Sequence, residues 1–170
     1  MTEACGGDGL KRAHTHTDFL YYKLVTAVPF FTALAGIWRA EPWNIAPYVV
    51  WFGVHMLTVY RILCTHCPHY GSADGKTNCH FIWKAPKLFH PRPGPQSIWS
   101  KLGLVLMLMI SSLLPVYWLA EDWALLVIYF LSLGVLFTTM MKYECTRCIH
   151  LDCPKNQVPQ EVREMGIAKE

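Results

Sequence analysis

Four long apolar stretches, separated by polar connections, set the pattern of hydrophobic and polar positions along the chain. They comprise residues 19–38, 47–63, 102–120 and 123–141. Each is about 17 to 20 residues long, enough as an α-helix to cross a hydrocarbon core about 30 Å thick. The last two contain no charged residue and so have no polar face to turn toward water. The pattern predicts an all-α integral membrane protein.

The composition agrees with this prediction. Of 170 residues, 53% are apolar and only 16% are charged, against about 25% charged in an ordinary soluble domain. The net charge of +3 is too small for a surface that neutralises nucleic-acid phosphates, which excludes a nucleic-acid module. Aromatic residues lie at the predicted membrane interfaces, as an aromatic belt requires: Trp38, Trp43, Trp99, Tyr117, Trp118 and Trp123.

The connections between the stretches predict a four-helix bundle built from two tandem helix hairpins. Only Glu121 and Asp122 join the third and fourth stretches, and about eight residues, 39–46, join the first and second. The predicted organisation has five parts: an N-terminal tail (1–18), a first hairpin (19–63), a loop rich in Cys, His and Pro (64–101), a second hairpin (102–141) and a cysteine-rich C-terminal tail (142–170). His14 and His16 are interpreted as residues of a solvated tail.

The distribution of basic residues predicts how the bundle is oriented. With four spans, both termini and the 64–101 loop lie on one side, and that side holds fourteen of the fifteen Lys and Arg. Arg39 is the one basic residue on the other side. The positive-inside rule therefore predicts a multi-pass protein of the cytoplasmic (inner) membrane with cytoplasmic N- and C-termini. The polar stretch 1–18 does not have the pattern of a secretory signal.

A six-residue cysteine motif follows the second stretch and recurs after the fourth. Residues 64–69 read C-T-H-C-P-H and residues 145–150 read C-T-R-C-I-H, so both match C-T-x-C-x-H, 81 residues apart. A third cysteine follows each motif, Cys79 in the loop and Cys153 in the tail. We interpret the chain as a tandem repeat of helix, helix and cysteine motif, related by a pseudo-two-fold axis along the membrane normal.

The cysteine spacing favours metal ligation over disulfides, because cytoplasmic thiols are kept reduced and a C-x2-C turn presents two thiolates to one metal. The predicted ligands are Cys64, Cys67, Cys79, Cys145, Cys148, Cys153, His69 and His150. Either the four motif cysteines form one shared site, or each half forms its own site from three cysteines and a fourth ligand. That fourth ligand could be a histidine of the motif, Cys5, or an atom of a substrate or partner.

Zinc and iron–sulfur clusters both accept this set of ligands. The second motif resembles the ferredoxin run of four cysteines that ends in Cys-Pro, over the ten residues from Cys145 to Pro154. It departs from that run because Leu151 stands where the third cysteine would be and the last spacing is two residues shorter. The resemblance implies an iron–sulfur cluster, and a structural zinc site is the alternative.

Two polar residues of the second stretch are candidates for binding a quinone. His55 lies near its middle, a depth at which an ionisable residue indicates a functional site. It could contact a quinone carbonyl, or bond to a helix neighbour such as Ser111 or Thr138. Arg61 lies beside the first cysteine motif, within reach of an acidic headgroup, a quinone or a protein partner.

These features support three hypotheses for the function. The first is an electron-transfer subunit, without a catalytic site of its own, that links a soluble cytoplasmic oxidoreductase to quinone through iron–sulfur chemistry. The second is a zinc-stapled membrane scaffold that recruits a partner. The third is a quinone-linked thiol-disulfide oxidoreductase, because the chain resembles disulfide-generating membrane enzymes in its four-helix bundle and C-x2-C pairs. The reactive cysteines of those enzymes face the oxidising compartment, whereas the predicted orientation places them on the reducing side.

Overall fold

The structure is a computed structural model that describes residues 14–67, 70, 76–78, 82–92, 94, 96–148 and 157–162. Within these ranges the chain forms five α-helices and a two-stranded antiparallel β-ribbon. The helices are α1 (His16–Ala40), α2 (Ile45–Ile62), α3 (Ile98–Leu113), α4 (Val116–Leu119) and α5 (Trp123–Thr139). The strands are β1 (Lys76–Asn78) and β2 (Trp83–Pro86), both in the segment between α2 and α3.

Four helical segments are long and apolar enough to cross a membrane, which confirms the prediction of four such helices. They run over His16–Ala40, Pro42–His66, Ile98–Leu119 and Trp123–Glu144, 22 to 25 residues each, or about 33 to 38 Å as helix. The third segment contains both α3 and α4. The helix is interrupted there because Pro115 lacks the N–H that would continue the hydrogen-bond ladder.

Local caps move the ends of several elements away from the predicted limits. Thr15 and Asp18 form a capping box, so α1 starts three residues earlier than predicted. Ser97 caps α3, which starts four residues earlier than predicted. A 3-10 turn over Pro42–Asn44 leads directly into α2, so the link between α1 and α2 is about half of the predicted length.

The most extensive helix packing is between α1 and α5, which run antiparallel. Near one end of this pair the hydroxyls of Tyr21 and Thr139 lie 3.4 Å apart. Near the other end Arg39 pairs with Asp122. The predicted pairing of helices within two sequential hairpins is not confirmed, because α1 contacts α5 far more than it contacts α2.

The second packed pair is α2 with α3, which are also antiparallel. The Trp51 indole N–H donates to Ser111 Oγ over 3.1 Å, and the Gln96 amide donates to the Ile62 carbonyl over 3.0 Å. Successive spanning helices therefore alternate in direction, and α2 and α5 finish at the same end of the bundle. This end carries both cysteine motifs and is called the cysteine end below.

The core of the bundle is small and lies toward the opposite end. It contains Ala33, Ile37, Tyr48, Leu119 and Tyr129. Many of the other apolar helix side chains are exposed on the outside of the bundle. An exposed apolar surface of this extent is compatible with contact to a lipid bilayer.

Exposed aromatic side chains mark both ends of the spans. Five of the six predicted interfacial aromatics are 67 to 91% exposed: Trp38, Trp43, Trp99, Tyr117 and Trp123. Along α3 and α4, Trp99 and Tyr117 are 18 residues apart, which is about 27 Å as helix and close to the thickness of a hydrocarbon core. The sixth, Trp118, is half-buried, and its indole N–H donates to Glu41 over 3.2 Å.

Candidate metal centre at the two cysteine motifs

The two cysteine motifs begin where α2 and α5 end. The first continues α2 as a 3-10 turn over Cys64–His66, and the second follows a π-helical turn over Met140–Glu144 that extends α5. Single π-helical turns are frequent at functional sites. The four motif cysteines are all half-buried: Cys64, Cys67, Cys145 and Cys148. All four residues are therefore partly accessible to solvent at the cysteine end.

The same hydrogen bond holds each motif to its helix. The Thr65 hydroxyl donates to the Arg61 carbonyl, and the Thr146 hydroxyl donates to the Lys142 carbonyl, each over 2.6 Å. Both bonds reach back four residues to a helix C-terminus, where carbonyl groups lose their partners within the helix. The threonine of each C-T-x-C motif thus ties the cysteine turn to the spanning helix, and the two halves share this geometry.

A segment from further along the chain returns to the backbone of each motif. The Arg92 N–H donates to the Thr65 carbonyl over 2.8 Å, and the Gln157 N–H donates to the Cys145 carbonyl over 2.9 Å. In sequence, each of these contacts closes a loop that starts at the motif and includes the third cysteine of that half, Cys79 or Cys153. Those two cysteines lie outside the described residues.

An aromatic cluster joins two residues of the segment between α2 and α3, Tyr70 and Phe89, to the last turn of α2. Tyr70, 2% exposed, donates its hydroxyl to the Phe89 carbonyl over 2.5 Å and accepts from the Phe89 N–H over 3.0 Å. The Tyr60 ring on α2 lies 5.5 Å from the Tyr70 ring and 5.8 Å from the Phe89 ring. The guanidinium of Arg61 lies 5.5 Å from the centroid of the Phe89 ring. Sequence reasoning missed this cluster.

The second motif is anchored to the start of α1. His14 Nδ1 lies 3.7 Å from the carboxylate of Glu144, the residue before Cys145, and these two side chains are only 5% and 12% exposed. The interpretation of His14 as a residue of a solvated tail is therefore wrong. The Thr15 to Asp18 capping pattern shows in the sequence that α1 starts beside His14, but it gives no sign of the contact with Glu144.

Within the part of the chain that the structure describes, no group of three or more His, Cys, Asp or Glu side chains is placed to hold a metal ion. The shared four-thiolate site would consist of described residues alone, and they do not form it in this structure. The arrangement with one site per half needs ligands outside the described residues: Cys79, Cys153, His69 and His150. Metal binding by either arrangement stays a prediction.

The structure gives His55 and Arg61 partners within the protein. His55, 5% exposed, has Nδ1 2.9 Å from Ser111 Oγ, and Ser111 also accepts from the Trp51 indole. Ser111 is one of the two helix neighbours that the sequence offered as a partner for His55. This network joins α2 to α3 inside the bundle, while Arg61 contacts the segment beyond α2. Quinone binding at either residue stays a prediction.

No family model, curated protein or solved structure matches this chain. The two cysteine motifs, with matched hydrogen bonds at one end of four membrane-length helices, are therefore the strongest indication of function that the molecule offers.

Proposed function

We propose that the protein is a membrane-embedded electron-transfer subunit that holds iron–sulfur chemistry at its cysteine end and links a soluble oxidoreductase to quinone in the bilayer. The observation that carries this proposal is the matched geometry of the two C-T-x-C turns, each tied to its helix by the same 2.6 Å hydrogen bond. Both turns carry half-buried cysteines at one end of the bundle. A group bound there would lie between an aqueous partner and the lipid phase.

The described residues fit a thiolate-bound group in part. Each motif supplies two cysteines on a turn that is held by a threonine hydroxyl and by a returning backbone N–H. The remaining ligands would be Cys79 with His69 in the first half and Cys153 with His150 in the second. An iron–sulfur cluster, when bound, supplies a one-electron couple whose potential depends on solvent exposure and on hydrogen bonds to sulfur.

For quinone we propose the wall of the bundle formed by α2, with His55 and Arg61 as the contacting residues. Ser111 can donate to His55 Nδ1, and in that tautomer Nε2 carries the proton and can donate to a quinone carbonyl. His55 lies nine residues before Cys64, which is about 14 Å along the helix axis. Arg61 lies one turn before Cys64. A quinone between these two residues would stay close to the cysteine end.

A structural zinc site is the second candidate, and one observation favours it. His55 and Arg61 have partners in the protein, Ser111 and Phe89, so a scaffold leaves neither residue unexplained. In this alternative, zinc keeps the cysteine loops folded and the cysteine end recruits a partner protein. A thiol-disulfide oxidoreductase ranks behind both, because it needs the cysteines on the oxidising side of the membrane.

Anaerobic purification of the full chain, followed by visible spectroscopy and metal analysis, separates these candidates. Broad visible absorbance with iron and acid-labile sulfide supports the iron–sulfur proposal, and colourless protein with stoichiometric zinc supports the scaffold. Protein without either metal contradicts both.

The metal content of single cysteine variants then shows whether the protein has one shared metal site or two. Cys64→Ser and Cys145→Ser should each remove all the metal from a shared site, or roughly half of it from two separate sites. Ser132→Ala is the control, because Ser132 lies within α5 and its hydroxyl donates to the Tyr129 carbonyl of the same helix over 2.8 Å. Full metal content in both cysteine variants would rule out the motifs as ligands.

We also propose that the cysteine end faces the cytoplasm, on the basis of the distribution of Lys and Arg. An impermeant thiol reagent added to intact cells should leave Cys64 and Cys145 unlabelled and should label them once the membrane is permeabilised. Ready labelling from outside reverses the orientation and makes the thiol-disulfide oxidoreductase the leading candidate.

A further inference from the structure

Each helix that can span the membrane carries one Lys or Arg near the cysteine end. These residues, called the cation belt below, are Lys23 on α1, Arg61 on α2, Lys101 on α3 and Lys142 in the turn that extends α5. Three of them are exposed, and Lys101 is half-buried. One cation per helix near the same end is the arrangement expected of side chains that reach lipid headgroups.

The cation belt follows the two packed helix pairs. Lys23 and Lys142 belong to the antiparallel pair of α1 and α5, and Arg61 and Lys101 belong to the antiparallel pair of α2 and α3. Near the cysteine end, one hydrogen bond joins each pair: Tyr21 to Thr139 in the first, and Gln96 to Ile62 in the second. Each belt cation lies within five residues of the bond of its own pair. Each packed pair therefore carries two positive charges at this end.

One contact shows that a belt side chain extends toward the end of the bundle, and a second places another belt side chain against the segment that follows α2 in the chain. The Lys23 ammonium lies 5.6 Å from the centroid of the Phe19 ring, one turn nearer the start of α1. The Arg61 guanidinium lies over Phe89, in the segment beyond the end of α2. Long cationic side chains on membrane helices extend in this way to place their charge among headgroups.

Two acidic side chains near the belt have partners elsewhere in the protein. Asp18 accepts from the Thr15 N–H in the capping box, and Glu144 lies against His14. At the opposite end, Arg39 is the cation of the spanning helices, and it is paired with Asp122. Of the five cations that the spanning helices carry, four therefore lie at the cysteine end, and the one at the opposite end is paired with a carboxylate.

We propose that the cation belt binds the headgroups of anionic phospholipids. A cation near an anionic membrane surface typically contributes about fivefold in affinity at low salt. Lipid fits the belt better than an acidic protein does, because the four cations lie near the ends of four separate spanning helices, where headgroups surround the bundle. This inference does not depend on a bound metal, on quinone, or on the direction in which the chain crosses the membrane.

The test uses the full chain in detergent, titrated with phosphatidylglycerol or with phosphatidylcholine and followed by native mass spectrometry. Phosphatidylglycerol should bind about tenfold more tightly or better at low salt, and the preference should shrink as salt is raised. The double variants K23Q/K142Q and R61Q/K101Q should each reduce the preference about fivefold or more. R39Q, at the opposite end, is the matched control and should leave the preference unchanged.

Equal binding of the two lipids by the unaltered protein, or an undiminished preference in both double variants, overturns the proposal. Circular dichroism of each variant shows whether the helices remain intact, and K142R should keep the preference because it keeps the charge. Poly-glutamate, added to the protein in phosphatidylcholine nanodiscs, probes for an acidic protein partner instead. Suppose that poly-glutamate binds, that the double variants lose this binding, and that the two lipids bind equally. The belt would then be the site of such a partner and not of lipid.

Discussion

Arg39, in the last turn of α1, pairs with Asp122, in the short connection that precedes α5. Asp122 also caps α5, because one of its carboxylate oxygens accepts from the N–H groups of Ala124 and Leu125 over 3.1 and 3.3 Å. The one basic residue that the sequence places on this side of the bundle is therefore tied to the acid that starts the fourth spanning helix. A single carboxylate both begins α5 and holds it against α1.

Replacing Asp122 with alanine should destabilise the protein by about 1 to 2 kcal/mol, because the helix cap and the ion pair are lost together. Asp122→Ser keeps a capping hydroxyl and loses only the ion pair, so it should lower the stability less. Its loss should be similar to that of Arg39→Gln, under about 1 kcal/mol. Thermal unfolding in detergent micelles measures all three variants. Equal losses for Asp122→Ala and Asp122→Ser would assign the effect to the ion pair and not to the cap.

Gly36 allows α1 to approach α4 closely. A Cβ atom at this position would lie 2.6 Å from Cδ2 of Leu119, a fully buried side chain. Gly36→Ala should therefore destabilise the protein by about 1 to 3 kcal/mol, although alanine is the better helix former. Gly53→Ala is the matched control in α2, because a Cβ there meets no atom within 4 Å, and it should be neutral or stabilising by up to about 1 kcal/mol.

A second variant tests whether Leu119 is the cause. Leu119→Ala alone should cost about 2 to 5 kcal/mol through the cavity that it leaves. The double variant Gly36→Ala/Leu119→Ala should lose less stability than the two single variants lose in sum, because the methyl group introduced on α1 then occupies part of that cavity. Fully additive losses would show that the Gly36→Ala variant moves the two helices apart instead of clashing with Leu119.

The spanning helices were predictable because a lipid-facing helix has to be apolar over its whole length and around its circumference. The choice of helix partners was not, because lipid satisfies an exposed apolar face as well as a neighbouring helix does. Packing of α1 against α5 in preference to α2 depends on local contacts, among them the Tyr21 to Thr139 and Arg39 to Asp122 pairs. Contacts of this kind between two distant residues leave no periodic pattern in the sequence.

For the candidate site, the sequence indicated the cysteines but not what surrounds them. Thr65 and Thr146 belong to the repeated motif, yet their role depends on where α2 and α5 end. Tyr70 and Phe89 are 19 residues apart in sequence and meet beside Tyr60 of α2. Long-range contacts of this kind follow from the fold and not from spacing along the chain.

The two motif threonines should matter for metal retention if their hydroxyls orient the cysteine turns. Thr65→Val and Thr146→Val remove the hydroxyl while keeping the branched shape, and should weaken metal binding by roughly 10- to 100-fold. Thr58→Val is the matched control, because the Thr58 hydroxyl makes the same type of bond, to Val54 over 2.8 Å, in the interior of α2. Competition with a chromophoric chelator measures the affinity. Equal losses at all three positions would point to general helix stability, and the serine variants should restore binding.

Tyr70→Phe should loosen the segment around Phe89 at the end of α2. The Tyr70 hydroxyl bonds both the N–H and the carbonyl of Phe89, and leaving buried backbone groups without their partner costs about 1 to 3 kcal/mol. Amide hydrogen exchange at Phe89 should therefore become about tenfold faster or more. Tyr143→Phe is the control, because the Tyr143 side chain is 62% exposed. Unchanged exchange at Phe89 would show that the aromatic packing alone holds this segment.

The hydrogen bond between His55 and Ser111 joins α2 to α3 in the interior of the bundle over 2.9 Å. Bonds of this kind between membrane helices contribute about 0.6 kcal/mol on average and up to about 1.7 kcal/mol. A double-mutant cycle of His55→Leu and Ser111→Ala, measured by unfolding in mixed micelles, should return a coupling energy in that range. A coupling near zero would mean that the bond adds nothing to the packing of the two helices.

The same variants test whether His55 also contacts quinone. If Nε2 donates to a quinone carbonyl, His55→Leu should slow quinone-dependent turnover in membranes while the metal content stays unchanged. Ser111→Ala should slow turnover less, because it removes the partner of Nδ1 and leaves Nε2 in place. A purely structural role predicts the opposite pattern, in which both variants lower stability by similar amounts and turnover stays normal. Normal turnover in His55→Leu and in Arg61→Leu would remove the quinone site from α2 and leave the metal proposal intact, because no predicted metal ligand is altered.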